Sequence, residues 1–357
     1  MQRRSVIPLA ALIVLLFAVS SVAAEGNCDS TNCVEVAAAV PAYGLSAAEI
    51  DAYVEPEFKT PFFDHNRIHD RSYHQVSGAL DIYDAPNGSV IRTLDAGFNF
   101  VTVAAWQDGW IQINDGEWVQ ANVLTDVYNI VSHFKGVLLP ETMPQYQIGW
   151  MLKNVYPSSE PGGNPLEANG LIFRYTRVNI FASVEIDGWN WYQVGPDNWV
   201  HQTSLGKVIP IARPVEVETD RWVAVDLYEQ VLVAYEGEQP VFATLISSGL
   251  PRWPTREGTF NIYLRRTRED MSWGTPGDDF YYLEEVPWTM FFDQGRALHG
   301  TYWHDGLGYR RSHGCVNMSI TDAHWLYTWV AQDFETMYSK VIEEGPVVHV
   351  FSSGVYE

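Results

Sequence analysis

An eleven-residue pattern that occurs twice constrains this chain most. "WIQINDGEWVQ" begins at Trp110 and "WYQVGPDNWVH" at Trp191. Each runs Trp, apolar, Gln, apolar, a turn, then Trp-Val eight residues after the first Trp. Alternation at period two around a Gly, Asp or Pro turn is the pattern of a hairpin whose two faces differ in polarity. Upstream, "DIYDAPNGS" and "NVYPSSEPGG" echo each other as well. A solenoid needs more repeats, so two copies offset by about eighty residues mean two small β modules.

The rest of the composition agrees with many short strands. The chain has 14 Trp and 19 Tyr beside 27 Gly and 19 Pro, which suits aromatic strands joined by tight turns. Hydrophobic residues make up 46% and charged ones 18% of 357 residues, enough apolar surface for two or three domains with their own cores. The formal net charge of −22 argues against a nucleic-acid partner, because the phosphate attraction that drives such binding is reversed.

Residues 1–24 read as an export signal. Arg3 and Arg4 precede an apolar run from Val6 to Ala18, and "SSVAAEG" offers small residues for cleavage. The run is short of the ~20 residues of a spanning helix, so no stable membrane span is expected after its removal. The protein is then expected in the cell envelope or extracellular wall space. Cys28 and Cys33 lie close enough to bridge each other there, which leaves Cys315 as the odd thiol in an oxidising compartment.

Residues 25–75 read as a tether with one short helix near Ser46–Val54. The two modules occupy 76–125 and 137–206 and resemble bacterial SH3-like domains, whose last strands often read Gly-Trp…Trp-Val. That resemblance implies two small barrels, with Trp110, Trp118, Trp191 and Trp199 as core and wall polymer or peptide as the alternative use of their aromatics. After the linker "ARPVEVETD", strands are expected at Trp222–Leu227, Val231–Tyr235 and Val241–Ser247. Residues 265–289 are turn-rich and aromatic, as in a long loop or ribbon. A helix is expected after Ser319, with Ser319 and Asp322 as a capping box and Ala323, Leu326, Trp329 and Val330 at helical spacing. "VVHVF" closes the domain, which is expected to fold alone from about Val215.

Cys315 sits in "SHGCVNM". A sulfur nucleophile needs a thiolate, a base or cation to maintain it, and donors aimed at the oxyanion it creates. Gly314 permits a backbone conformation that lets N–H groups converge at the thiol. His299, in "ALHGTYWH", ends an expected strand sixteen residues upstream. The competing readings are a packed thiol, a disulfide with Cys28 or Cys33, and a zinc site of His299, His304, His313 and Cys315. The His-x4-His and His-x-Cys spacings match no common zinc pattern.

"HGTYWHDGLGYRRSHGCVNM" resembles the signature of the L,D-transpeptidase (YkuD-type) catalytic domain, and the resemblance extends over 218–351. "PTREGTF" stands where that family has Pro-Thr-Pro-x-Gly-x-Phe, with Arg256 in place of the second Pro. The overall fold implied is mainly β: two SH3-like barrels, then a β-rich catalytic domain with one main helix. The resemblance makes Cys315 the nucleophile and His299 its base, held by the Gly300 carbonyl. His313 and Gly314 would shape the oxyanion site, and Ser312 and Asn317 would hold the loop and meet substrate. Tyr302 and Trp303 are cleft or packing residues, and His304 and His324 plain surface or core residues.

The function implied is an exported peptidoglycan L,D-transpeptidase that needs no cofactor and no metal. Its partners would be peptidoglycan stem peptides, with carbapenem-type β-lactams as acylating inhibitors. The alternatives are an L,D-carboxypeptidase on the same thiol and a wall-binding protein with an inactive catalytic domain. A papain-like wall peptidase fits less well, since that family places its Cys before its His.

Overall fold

Alternating apolar residues between turn signals do become strands here, and the architecture is mainly β with few helices. The computed structural model describes residues 43–62, 64–128, 130–330, 339–341 and 345–355. The export signal and the Cys28–Cys33 pair lie outside the described residues.

The two tryptophan repeats fold as the same hairpin. Trp110 pairs with Gln120, Ile111 with Val119, Gln112 with Trp118 and Asn114 with Glu117, with a register shift before the turn. In the second copy Trp191 pairs with His201, Tyr192 with Val200, Gln193 with Trp199 and Gly195 with Asn198, with the same shift. A 3-10 turn follows each hairpin, at Ala121–Val123 and Gln202–Ser204. Trp110 and Trp199 are buried, whereas Trp118 and Trp191 are half-buried. The expected barrels are not found, since no sheet closes among the described residues. The first hairpin lies in an open five-stranded sheet and the second in an open three-stranded one.

Two larger sheets carry the C-terminal half. Six strands run in the order Gly258–Asn261, Val347–Phe351, Arg221–Asp226, Val231–Glu236, Gln239–Leu245 and Val137–Leu138. The other sheet runs Val316–Met318, Arg296–Gly300, Tyr281–Asp293, Phe98–Thr102, Tyr73–Val76 and Leu124–Tyr128. Residues 265–289 thus form a ribbon, in which Leu264–Trp273 pairs antiparallel with Tyr281–Asp293. Phe98–Thr102, from the first module, lies parallel to that ribbon with Phe98 opposite Tyr281 and Phe100 opposite Leu283. The first module and the C-terminal half therefore share one sheet.

They share cores as well. Phe134, Val137, Ile148, Trp150 and Leu152 pack with Trp222, Val233 and Tyr235 in one buried cluster. Part of the stretch read as a tether is also folded against the body. Leu45 and the Gln193 amide exchange hydrogen bonds of 2.7 and 2.8 Å, and Lys59 bridges Leu138. The short helix Ala47–Asp51 has its capping box at Ser46 and Glu49.

The helix Ile320–Val330 buries Ala323, Leu326 and Val330 as its spacing implies. Ser319 Oγ accepts the Asp322 N–H at 3.2 Å, which is half of the expected capping box. The Asp322 carboxylate is used elsewhere: it accepts the Gly136 N–H and the Thr244 hydroxyl, tying the helix to the chain before the second module.

Glu284 makes the corresponding bond to the first module. Its buried carboxylate accepts the Thr102 N–H (2.5 Å), the Thr102 hydroxyl (2.6 Å) and the Asn114 amide (2.7 Å). Burial still pushes its pKa from 4.5 to about 7, against those donors and helped by nearby Asp270. A carboxyl with a raised folded-state pKa favours folding most when protonated. Its contribution is complete below pH 4.5 and is lost as pH rises to about 7. That amounts to on the order of 3 kcal/mol. Glu284→Gln is expected to flatten the fall in thermal midpoint across this window, measured by calorimetry at several pH values. An unchanged slope would remove Glu284 as its source.

Candidate active site

The sequence around Cys315 makes a tight loop that enters a short strand. Gly314 has φ +114°, and a Cβ there would lie 2.8 Å from the Arg296 Nε, so no other residue fits without displacing that side chain. Ser312 Oγ accepts the Gly314 N–H at 3.1 Å and donates to the Cys315 carbonyl at 2.5 Å. Thr255, from "PTREGTF", donates to the Gly314 carbonyl and accepts the Gly249 N–H, both at 2.9 Å. The loop is thus fixed from two sides. The Gly314 N–H is occupied by Ser312, so what this glycine supplies to the site is its conformation.

Past the loop, Val316–Met318 runs parallel to Arg296–Gly300, with His299 opposite Asn317. His299 is buried, and its Nδ1 lies 3.0 Å from the Gly300 carbonyl. A carbonyl only accepts, so Nδ1 carries the proton and Nε2 keeps its lone pair. Burial lowers the His299 pKa to about 4. Burial raises Cys315, which is partly buried against the core, to about 11, against a backbone hydrogen bond from Ala297 and the Arg296 charge. At neutral pH the resting pair is a thiol and a neutral imidazole. No hydrogen bond joins the two groups among the described residues; they meet as linings of one cleft of about 1140 Å³.

The same cleft is lined by Ser312, His313, Asn317 and Trp303, and by Trp253 and Tyr281. His313 stacks on Trp253, with centroids 3.9 Å apart, and burial lowers its pKa. The Trp303 ring lies 5.6 Å from that of His299. Of the two aromatics read as cleft or packing residues, Tyr302 packs, so it drops out of the candidate substrate contacts. Its ring is fully buried, stacked on Tyr73 at 3.5 Å, and its hydroxyl donates to the Glu284 carbonyl. In the bend that follows the strand, Trp303 lines the cleft while Tyr302 lies wholly in the core.

His304 has a place that its sequence position did not announce. Its Nδ1 accepts the Gly306 N–H at 3.1 Å, so Nε2 bears the proton. Nε2 lies 2.9 Å from the Asn317 amide, and the group it needs there is the amide oxygen. Burial, with Arg311 and His299 adding to it, lowers His304 to about 3 and keeps it neutral. His324 lies elsewhere, bonded to Arg67 at 2.8 Å and packed edge-on to Trp288. Among the described residues, no three His, Cys, Asp or Glu side chains converge as a metal-binding set.

Tyr281 was not singled out from the sequence. Burial, with the Cys315 charge adding to it, raises its pKa well above the ordinary tyrosine value. The hydroxyl therefore stays protonated, a neutral donor within electrostatic reach of the sulfur.

Comparison with known proteins agrees with the motif. Residues 220–348 match the family model of the L,D-transpeptidase catalytic domain (YkuD). A Bacillus subtilis (strain 168) protein, YciB, whose name assigns it provisionally to the L,D-transpeptidases, is 27% identical over 133 residues. The match spans 33% of this chain and 65% of YciB. Among solved structures, the L,D-transpeptidase of Stackebrandtia nassauensis is 26% identical, covering 38% of this chain and 58% of that one, with a TM-score of 0.28. The catalytic domain of the Enterococcus faecium L,D-transpeptidase acylated by ertapenem is 25% identical, covering 37% and 97%, with a TM-score of 0.30. At TM-scores of this size the weight falls on the sequence match over 220–348.

Proposed function

We propose that this chain, whose residues 220–348 match an L,D-transpeptidase catalytic domain, is an exported peptidoglycan L,D-transpeptidase. One observation carries the reading: a buried imidazole with Nδ1 tied to a main-chain carbonyl, which leaves Nε2 with its lone pair, lines the same cleft as the sole described cysteine. A fixed tautomer with a free Nε2 is what a general base for a thiol requires.

In the proposed reaction Cys315 attacks the carbonyl of the third stem residue while His299 Nε2 takes the thiol proton. The tetrahedral oxyanion is met by the Cys315 N–H in the loop that Ser312, Gly314 and Thr255 hold. As the carbonyl re-forms, the peptide bond to the terminal D-Ala breaks and His299 returns the proton to the departing amine. A side-chain amine of a neighbouring stem then attacks the thioester, its proton passes through His299 to the thiolate, and a 3→3 cross-link results. The thioester conserves the energy of the donor's peptide bond. Carbapenem-type β-lactams should acylate the same sulfur, since their strained carbonyl fits the same first step.

The test is product analysis with a purified disaccharide tetrapeptide. Released D-Ala with a 3→3 dimer supports the proposal; D-Ala with tripeptide alone would make the enzyme a carboxypeptidase. Absence of D-Ala would sink both.

A further inference from the structure

The second module reaches the active site through a residue in a costly conformation. Of the nine non-glycine residues with positive φ among those described, seven are Asn, Asp, Gln or Glu. Tyr175, at φ +69°, and Trp288 are the two aromatics. A bulky L-residue crowds its own backbone in that region, and the conformation persists only where the surroundings dictate it. For Tyr175 they are the bonds to the second module's strand Gln147–Met151. The Tyr175 N–H donates to the Met151 carbonyl at 2.7 Å, and the Met151 N–H to the Thr176 carbonyl at 3.0 Å. The Asn154 side chain accepts the neighbouring Arg174 N–H at 2.8 Å.

Held this way, the Tyr175 side chain reaches out of its own module. Its ring packs on Phe134, with centroids 4.8 Å apart, and its hydroxyl meets Asp305, 2.9 Å from Oδ1 and 3.1 Å from the carbonyl. The Arg174 guanidinium pairs with the same carboxylate at 3.4 Å. Asp305 lies in the connection between His299 and Cys315, next to His304. His304 lines the cleft and is bonded to Asn317, which stands opposite His299 in the parallel strand pair. Further along, the same connection is seated on the second module again. Tyr309 donates to the Leu152 carbonyl at 3.3 Å, and a Cβ on Gly308 would stand 2.3 Å from Leu152 Cδ2. Packing on Phe134 needs only the Tyr175 ring, whereas the hold on Asp305 needs its hydroxyl.

Resting on the acyl-transfer function above, we infer that Tyr175 is a positioning residue for that reaction. Through Asp305 it holds the His304–Asn317 pair in register with His299 at the wall of the cleft. The second module, outside the matched residues 220–348, thus helps set the geometry of the site.

The experiment uses the full chain and Tyr175→Phe, which removes the hydroxyl and keeps the ring on Phe134. Carbapenem adduct formation should slow by roughly three- to tenfold, the effect of one lost hydrogen bond. In a His304→Gln background the same substitution should change the rate by less than about twofold, because the route it acts through is already cut. A second readout does not depend on acylation. Burial holds His304 neutral down to about pH 3 in the wild type, with Arg311, His299 and Arg174 as its charged neighbours. Its ring proton signals, identified by their loss in His304→Gln, should titrate at higher pH in Tyr175→Phe, as the loosened connection admits water. Equal slowing in both backgrounds overturns the inference, and so does a lowered thermal midpoint with an unchanged acylation rate. An unmoved His304 titration would also overturn it. A wild type that forms no adduct is a different result: it removes the acyl-transfer reading, while a raised His304 midpoint would still show the link from Tyr175.

Discussion

Acylation of Cys315 in His299→Ala is expected to slow by on the order of 10²–10⁴-fold at neutral pH, the usual contribution of a positioned base. The reason lies in the resting charges. With the thiol at about 11, very little thiolate exists at pH 7 unless the proton leaves in concert with attack. The wild-type rate should be flat through neutral pH and fall only as pH drops toward the His299 pKa of about 4. In the variant the rate should follow thiolate instead, rising about tenfold per pH unit toward the thiol pKa. The deficit therefore shrinks in alkali. The measurement is the rate of carbapenem adduct formation against pH for both proteins. A variant with the wild-type profile would take the base role away from His299.

A chain beginning at Val215 is expected not to fold, contrary to what the sequence alone suggests. Such a chain loses Phe134, Val137, Ile148, Trp150, Leu152 and Val208, which bury one face of the sheet carrying Trp222 and Tyr235. At roughly 1.5–3 kcal/mol for each large apolar side chain, the loss is comparable to the whole stability of a domain, about 5–15 kcal/mol. It also strips the Gly136 N–H from the buried Asp322 carboxylate and the strand Phe98–Thr102 from the other sheet. Circular dichroism and thermal melting of the shortened chain give the readout. A cooperative melt with near-normal carbapenem acylation would show that the catalytic half stands alone.

What could be read from the sequence was local. The Cys315 loop announces itself because Ser312, Gly314 and Cys315 satisfy one another within four residues, and His299 is tied to the residue that follows it. The repeated hairpins were legible because their register is set by alternation and a two-residue turn. Neighbours with the same chemistry were harder. Tyr302 and Trp303 are both large aromatics, and only the Tyr73 stack and the Glu284 carbonyl send one of them inward. His304 looked plain because its role depends on Asn317, brought beside it by the return of the chain. The shared sheet left no local mark. The pairing of Phe98 with Tyr281 joins residues separated by half the chain, and a short strand carries no signal of its partner. The expected barrels were beyond the same local signals: in the first module Phe98–Thr102 pairs with the C-terminal half, and in the second the strands between 147 and 207 divide into two open three-stranded sheets.

The central claim is that Cys315 carries the acyl group. Intact-mass analysis after mixing with a donor tetrapeptide, followed by mapping of the modified peptide, tests it directly. The account predicts a transient adduct of donor minus D-Ala on the peptide holding Cys315, and neither adduct nor D-Ala release in Cys315→Ala. Release of D-Ala by Cys315→Ala, or an adduct on any other residue, would contradict it.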